Sequence, residues 1–183
     1  MRHLPNLITL LRFALVPVMA YYAIREDYGI ALPIFLAAAL SDFADGYIAR
    51  AWRLVSRLGA ALDPVADKLN MFVATVLLAA QGRIPLWLAA AIICRDIVIV
   101  AGVLAYRGLI GPVEMKPTRL SKANTFVEFG ALLLAMAAAA NWVELPRLLS
   151  ALFAITLVTV IASGAQYVAL GTRMALAERR RKV

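Results

Sequence analysis

Apolar residues dominate this chain in six long segments, at roughly 8–24, 28–49, 60–81, 84–106, 121–141 and 146–171. Each is about the length that a helix needs to cross the hydrocarbon core of a bilayer. The shorter stretches between them hold most of the charges, so the pattern predicts six transmembrane helices joined by short connections. Ahead of the first segment, Asn6, Thr9 and Arg12 recur at i, i+3 and i+6. That spacing predicts an N-terminal amphipathic segment lying at the interface before the chain turns inward. The expected fold class is an all-α integral membrane protein, with residues 1–183 forming a single membrane domain.

Composition agrees. Of the 183 residues, 63% are hydrophobic and the mean hydropathy is +0.82, which excludes an ordinary soluble domain. The net charge of +8 suits contact with anionic headgroups, and no nucleic-acid-binding pattern accompanies it. The lone cysteine, Cys94, sits in an apolar run and reads as a small core hydrophobe. Neither a cleavable signal nor an Arg- and Ser-rich transit peptide is evident, so a bacterial plasma membrane is the expected location.

Lys and Arg fall unevenly across the connections. One side would carry Arg2, Arg12, Arg50, Arg53 and Arg57, the loop from Arg107 to Lys122, and Arg173 with the tail Arg179 to Lys182. The other would carry Arg25, Arg83 and Arg147. By the positive-inside rule, both termini and the basic loops face the cytoplasm. The tail 178–183 reads as a basic segment that holds to anionic lipid, and the small-residue run at 135–140 as helix-packing surface.

The chemistry concentrates between Ser41 and Lys68. Asp42 and Asp45 are spaced i, i+3, with Ala49 at i+7, while Gly59, Asp63 and Asp67 follow at i, i+4, i+8. On helices each set lines up along one face, so two pairs of carboxylates can meet. Carboxylates packed in an apolar setting repel one another, and protons or divalent cations must balance them. Hard oxygen ligands favour Mg²⁺, Mn²⁺ or Ca²⁺. Gly46 and Gly59 let a ligand approach the backbone closely, and Arg50 offers a fork for phosphate. A plain structural account, in which the four acids close buried ion pairs, needs as many basic partners, and Arg50 and Lys68 are the obvious ones. Asp42 lies about seven residues from the cytoplasmic end of its helix, roughly 10 Å deep. Pro64 is expected to mark the start of the third span. A metal site just inside the membrane follows, beneath a polar opening.

The string Asp42-x-x-Asp45-Gly46-x-x-Ala49-Arg50, followed after eight residues by Gly59-x-x-x-Asp63-x-x-x-Asp67, resembles the signature of the CDP-alcohol phosphatidyltransferase family at every fixed position. The resemblance extends to length and hydropathy over nearly the whole chain. It implies transfer of a phosphatidyl group from CDP-diacylglycerol to an alcohol, with Asp42, Asp45, Asp63 and Asp67 as ligands of Mg²⁺ or Mn²⁺ and Asp67 also as general base. It further implies that Gly46, Gly59 and Arg50 shape the nucleotide site, that Asn6 and Thr9 lie near the nucleotide, and that the protein is a homodimer.

Two features flank the motif. Arg95-Asp96 interrupts the fourth apolar segment, where such a pair is hardly lipid-facing; it reads equally as a structural ion pair or, by resemblance, as placing a basic residue, Arg95, near the acceptor pocket. The loop 107–122 supplies Lys116, Arg119 and Lys122, an expected site for the acceptor's phosphate. The run Lys116-Pro117-Thr118-x-x-Ser121-Lys122-x-Asn124-Thr125 is similar to that of the family's CMP-forming cardiolipin synthase branch, which implies phosphatidylglycerol as acceptor, with glycerol-3-phosphate the runner-up. A cation transporter is the competing class, but inverted repeats and interrupted midplane helices of that class are not evident.

Overall fold

The computed structural model describes the backbone of residues 4–52, 57–109 and 118–181, and side chains within 14–41, 68–108 and 118–176. Among the described residues, six helices fall on the six apolar segments: α1 Leu4–Ile24, α2 Tyr28–Trp52, α3 Arg57–Ala80, α4 Leu86–Leu109, α5 Arg119–Ala139 and α6 Pro146–Arg181. Among the described residues, Leu86–Gly108, Arg119–Ala139 and Pro146–Leu176 are long and apolar enough to cross a membrane, and Ala14–Ile24, Tyr28–Ser41 and Lys68–Ala80 form shorter apolar stretches.

Three boundaries differ from the sequence expectation. α1 is continuous from Leu4, so no break sets residues 4–12 apart as an element of their own. α3 begins at Arg57 rather than at Pro64, which lies inside the helix. α6 continues to Arg181, so the basic tail is largely a helical extension. In each case the helical hydrogen-bond ladder runs on past the end of the apolar segment, because polar and charged residues such as Arg and Glu are good helix formers.

α1, α3 and α5 stop where a left-handed residue follows. Glu26, Gly82 and Asn141 have φ of 59°, 68° and 58°. After α1, Glu26 N–H donates to Ala23 O at 2.9 Å and Asp27 N–H to Tyr22 O at 3.0 Å. After α3, Gly82 N–H donates to Ala79 O at 3.1 Å and Arg83 N–H to Leu78 O at 2.8 Å. After α5, Asn141 N–H donates to Ala138 O at 3.1 Å and Trp142 N–H to Ala137 O at 3.0 Å. These paired bonds satisfy carbonyls that a helix end leaves without partners.

Contacts group into two compact units: Met1–Ile84 with Leu132–Leu145, and Pro85–Ala131 with Pro146–Val183. In the first, α1, α2 and α3 pack on one another. Its core is a set of stripes at helical spacing, Tyr28, Ala31, Phe35 and Ala38 on α2 and Asn70, Ala74 and Leu78 on α3. Its two turns are tied by side chains. Tyr28 donates to Gln81 Oε1, Gln81 Nε2 donates to Ala23 O at 2.8 Å, and Arg83 pairs with Glu26 at 2.8 Å.

In the second unit α4 packs along α6, burying Leu88, Ile92 and Arg95 of α4 and Thr156, Val160 and Ser163 of α6. The outward positions are apolar: Ile97, Val100 and Leu104 on α4 and Val158 and Ile161 on α6 are exposed. Polar residues inside and aliphatic ones outside invert the pattern of a soluble protein, and with the long apolar helices they mark a membrane protein.

Candidate functional site

The two halves of the aspartate signature lie on two helices that touch. α2 carries residues 42–50 and α3 carries residues 59–67, and α2 packs against α3. Where side chains are described, the packed register is clear. Phe35 and Ala38 of α2 are buried, and counting on in the same register reaches positions 42, 45 and 49. On α3, Asn70, Ala74 and Leu78 are buried, and counting back by three and then by fours reaches positions 67, 63 and 59. The backbone thus sets both pairs of aspartates in register with the buried stripes of α2 and α3. The side chains of Asn6, Thr9, Asp42, Asp45, Gly46, Arg50, Gly59, Asp63 and Asp67 lie outside the described ones, and Lys116 lies outside the described residues altogether.

Next to that register sits Asn70, which the sequence reading did not single out. It is buried, its Nδ2 donates to Phe35 O at 3.4 Å, and its Oδ1 has no hydrogen-bond partner. A side-chain amide at this depth links α3 to α2 one helical turn from Asp67. The signal for it in the sequence was an amide in a largely apolar stretch of α3.

A second polar cluster belongs wholly to the other unit, and Arg95 is its centre. Its side chain is only 7% exposed, and its Cγ runs so close to α6 that a Cβ at Gly164 would lie 3.6 Å away. Nη1 donates to Asp96 Oδ1 at 2.7 Å. Nη2 donates to Ser121 Oγ of α5 at 2.7 Å and to Ser163 Oγ of α6 at 3.0 Å. Nε has no partner. Immediately beside it, Thr118 Oγ1 accepts from Ser121 N–H at 3.1 Å, capping α5, and donates to Gln166 Oε1 of α6 at 2.8 Å. One turn further along α5, Asn124 is fully buried and donates through Nδ2 to Glu128 Oε2 at 3.3 Å.

The structure therefore places the predicted Arg95 in the interior, while Arg119 and Lys122 stand exposed on the first turn of α5. Ser163, Gln166 and Glu128 were missed. Spacing within one helix does not reveal a partner on another. An apolar groove of about 300 Å³ between α4 and α6, lined by residues including Val98, Gly102, Tyr106, Tyr167 and Gly171, contains none of the predicted site residues.

Among the described residues no group of three or more His, Cys, Asp or Glu gathers to hold a metal ion, and the side chains of Asp42, Asp45, Asp63 and Asp67 are not among those described. α2 and α3, which pack together, thus carry the two pairs of aspartates, and Arg119 and Lys122 stand exposed at the start of α5. The sequence model of the CDP-alcohol phosphatidyltransferase family matches residues 2–175, spanning both units, and the chain belongs to that family.

Similar proteins carry two different acceptor activities in their names. A human CMP-forming cardiolipin synthase is 40% identical over 141 residues, covering 68% of this chain and 47% of that protein. A cardiolipin synthase/mitochondrial hydrolase fusion protein of Schizosaccharomyces pombe is 39% identical over 179 residues, 90% of this chain and 30% of that one. A CDP-diacylglycerol–glycerol-3-phosphate 3-phosphatidyltransferase of Cereibacter sphaeroides is 36% identical over 137 residues, 70% of this chain and 61% of that one. The match thus spans less than two thirds of the length of each of these relatives.

Proposed function

We propose that this protein transfers the phosphatidyl group of CDP-diacylglycerol to phosphatidylglycerol, giving cardiolipin and CMP. The observation that carries the reading is the eight-position signature on two helices that pack together, its aspartates at positions in register with the buried stripe of each helix. The donor set fits a divalent ion: four carboxylates are hard oxygen ligands of the kind Mg²⁺ and Mn²⁺ take together with substrate phosphates. Asp42, Asp45, Asp63 and Asp67 would hold it. When bound, such an ion offsets the charge of the diphosphate and of the departing CMP.

The chain's own groups do the remainder. Asp67 accepts the proton of the attacking hydroxyl, the acceptor oxygen bonds to the phosphatidyl phosphorus, and the bond from that phosphorus to CMP breaks with its electron pair leaving on CMP. Arg50, with the backbone at Gly46 and Gly59, shapes the nucleotide pocket, and Asn6 and Thr9 lie at its edge. Lys116, Arg119 and Lys122 supply cationic donors for the acceptor's phosphate. The protein works as a homodimer in a bacterial plasma membrane with six spans, both termini and the mouth of the site on the cytoplasmic side, where the basic connections fall.

Support for phosphatidylglycerol as acceptor comes from the cardiolipin synthase relatives and the run from Lys116 to Thr125. Glycerol-3-phosphate is the second reading, favoured by the relative named for that acceptor. The deciding experiment incubates purified protein in detergent with CDP-diacylglycerol, Mg²⁺ or Mn²⁺ and either acceptor, then identifies the lipid formed. Cardiolipin from phosphatidylglycerol, with CMP released, is the expected result. Rapid formation of phosphatidylglycerophosphate without cardiolipin overturns the acceptor assignment, and no CMP release with either overturns the reaction.

A further inference from the structure

A guanidinium has five N–H donors in a fixed plane, and it grips phosphate best through a pair of them on one edge. In this protein Nη2 of Arg95 is engaged by both Ser121 and Ser163, and Nη1 donates to Asp96. Every two-pronged edge of the fork includes a nitrogen already committed to this chain's own residues. What the guanidinium joins instead is three helices: α4 through its own backbone, α5 through Ser121 and α6 through Ser163. A second tie runs parallel to it, from Thr118 at the α5 cap to Gln166 on α6.

Both ties close on the first turn of α5. That turn follows directly on the basic loop and presents Arg119 and Lys122 outward. Cationic side chains on a fraying helix end lose affinity, because holding them in register costs conformational entropy at the moment of binding. A capped, twice-anchored first turn meets that cost in advance. We propose that Arg95, Ser163, Thr118 and Gln166 form a latch that pins the start of α5 to α4 and α6, and that they act as positioning residues for Arg119 and Lys122 rather than as ligands of the acceptor. The assignment of Arg119 and Lys122 to the acceptor's phosphate rests on the proposed function; the latch itself does not.

The experiment has two readouts on the full chain in detergent. The first is amide hydrogen exchange over residues 118–125 in Ser163→Ala, Gln166→Leu, the double variant and Thr118→Ser. Faster exchange in that turn is expected in the first three, with α1 to α3 unchanged, while Thr118→Ser, which keeps the hydroxyl, retains protection. Unchanged exchange in the double variant overturns the latch.

The second readout is steady-state turnover with phosphatidylglycerol and with glycerol-3-phosphate. KM for the productive acceptor should rise by about three- to tenfold, the ratio that one or two lost hydrogen bonds supports. Meanwhile kcat and KM for CDP-diacylglycerol hold. In a background already carrying Arg119→Ala and Lys122→Ala, Gln166→Leu should change KM no further. An equal loss in that background, or a fall in kcat instead of a rise in KM, overturns the positioning role. If wild-type protein turns over neither acceptor, the proposed function falls and exchange alone still decides the latch.

Discussion

Replacing Arg95 by methionine keeps a long unbranched stem and removes the charge at the centre of the α4–α5–α6 cluster. Three donor contacts disappear with it, to Asp96 at 2.7 Å, Ser121 at 2.7 Å and Ser163 at 3.0 Å. Breaking a buried ion pair from one side costs about 3–5 kcal/mol. Asp96 is 33% exposed, so water reaches its carboxylate, and we set the expected loss at about 2–4 kcal/mol. The two serines add little, since a hydroxyl can turn to a backbone carbonyl of its own helix. Changing Asp96→Asn in the same chain removes the charge left without Arg95 and should recover about 1–2 kcal/mol. Reversible unfolding in mixed micelles, followed by circular dichroism, measures all three chains. A methionine variant within about 0.5 kcal/mol of wild type, the range of an ordinary surface substitution, would refute the reasoning, as would a double variant no more stable than the single one.

Two further outcomes are expected. Excess chelator, or Asp42→Ala, Asp45→Ala or Asp63→Ala in folded protein, should abolish CMP release, whereas Asp67→Asn should lower turnover by about 10²–10⁴-fold with CDP-diacylglycerol binding kept; full activity in chelator would remove the metal from the reaction. Glu26→Gly should raise stability by about 0.5–1 kcal/mol, because a left-handed residue with φ of 59° favours glycine by roughly 1 kcal/mol, against an exposed Arg83 pair worth little; a lower melting temperature would show that the pair outweighs the backbone.

The hydrophobic pattern alone determined that this chain is helical and membrane-bound, since apolar runs of that length have few other stable solutions and each α-helix satisfies its own backbone. The aspartate signature determined the family, because eight residues at set spacings on two helices are legible without knowing how the helices meet. Helix ends were less legible. α3 starts at Arg57 and α6 runs to Arg181, since hydropathy reports where a helix is apolar and not where its hydrogen bonds stop. What only the tertiary structure decided was which polar residues face one another. Arg95 looked from its surroundings like a pair with Asp96 and, by resemblance, a group near the acceptor; packing added Ser121 and Ser163 and turned it into a hub. Asn70, Ser163 and Gln166 were silent in the sequence for the same reason. A lone polar residue in an apolar helix acquires its meaning from the partner on another helix, and that partner is chosen by packing between residues far apart in the chain.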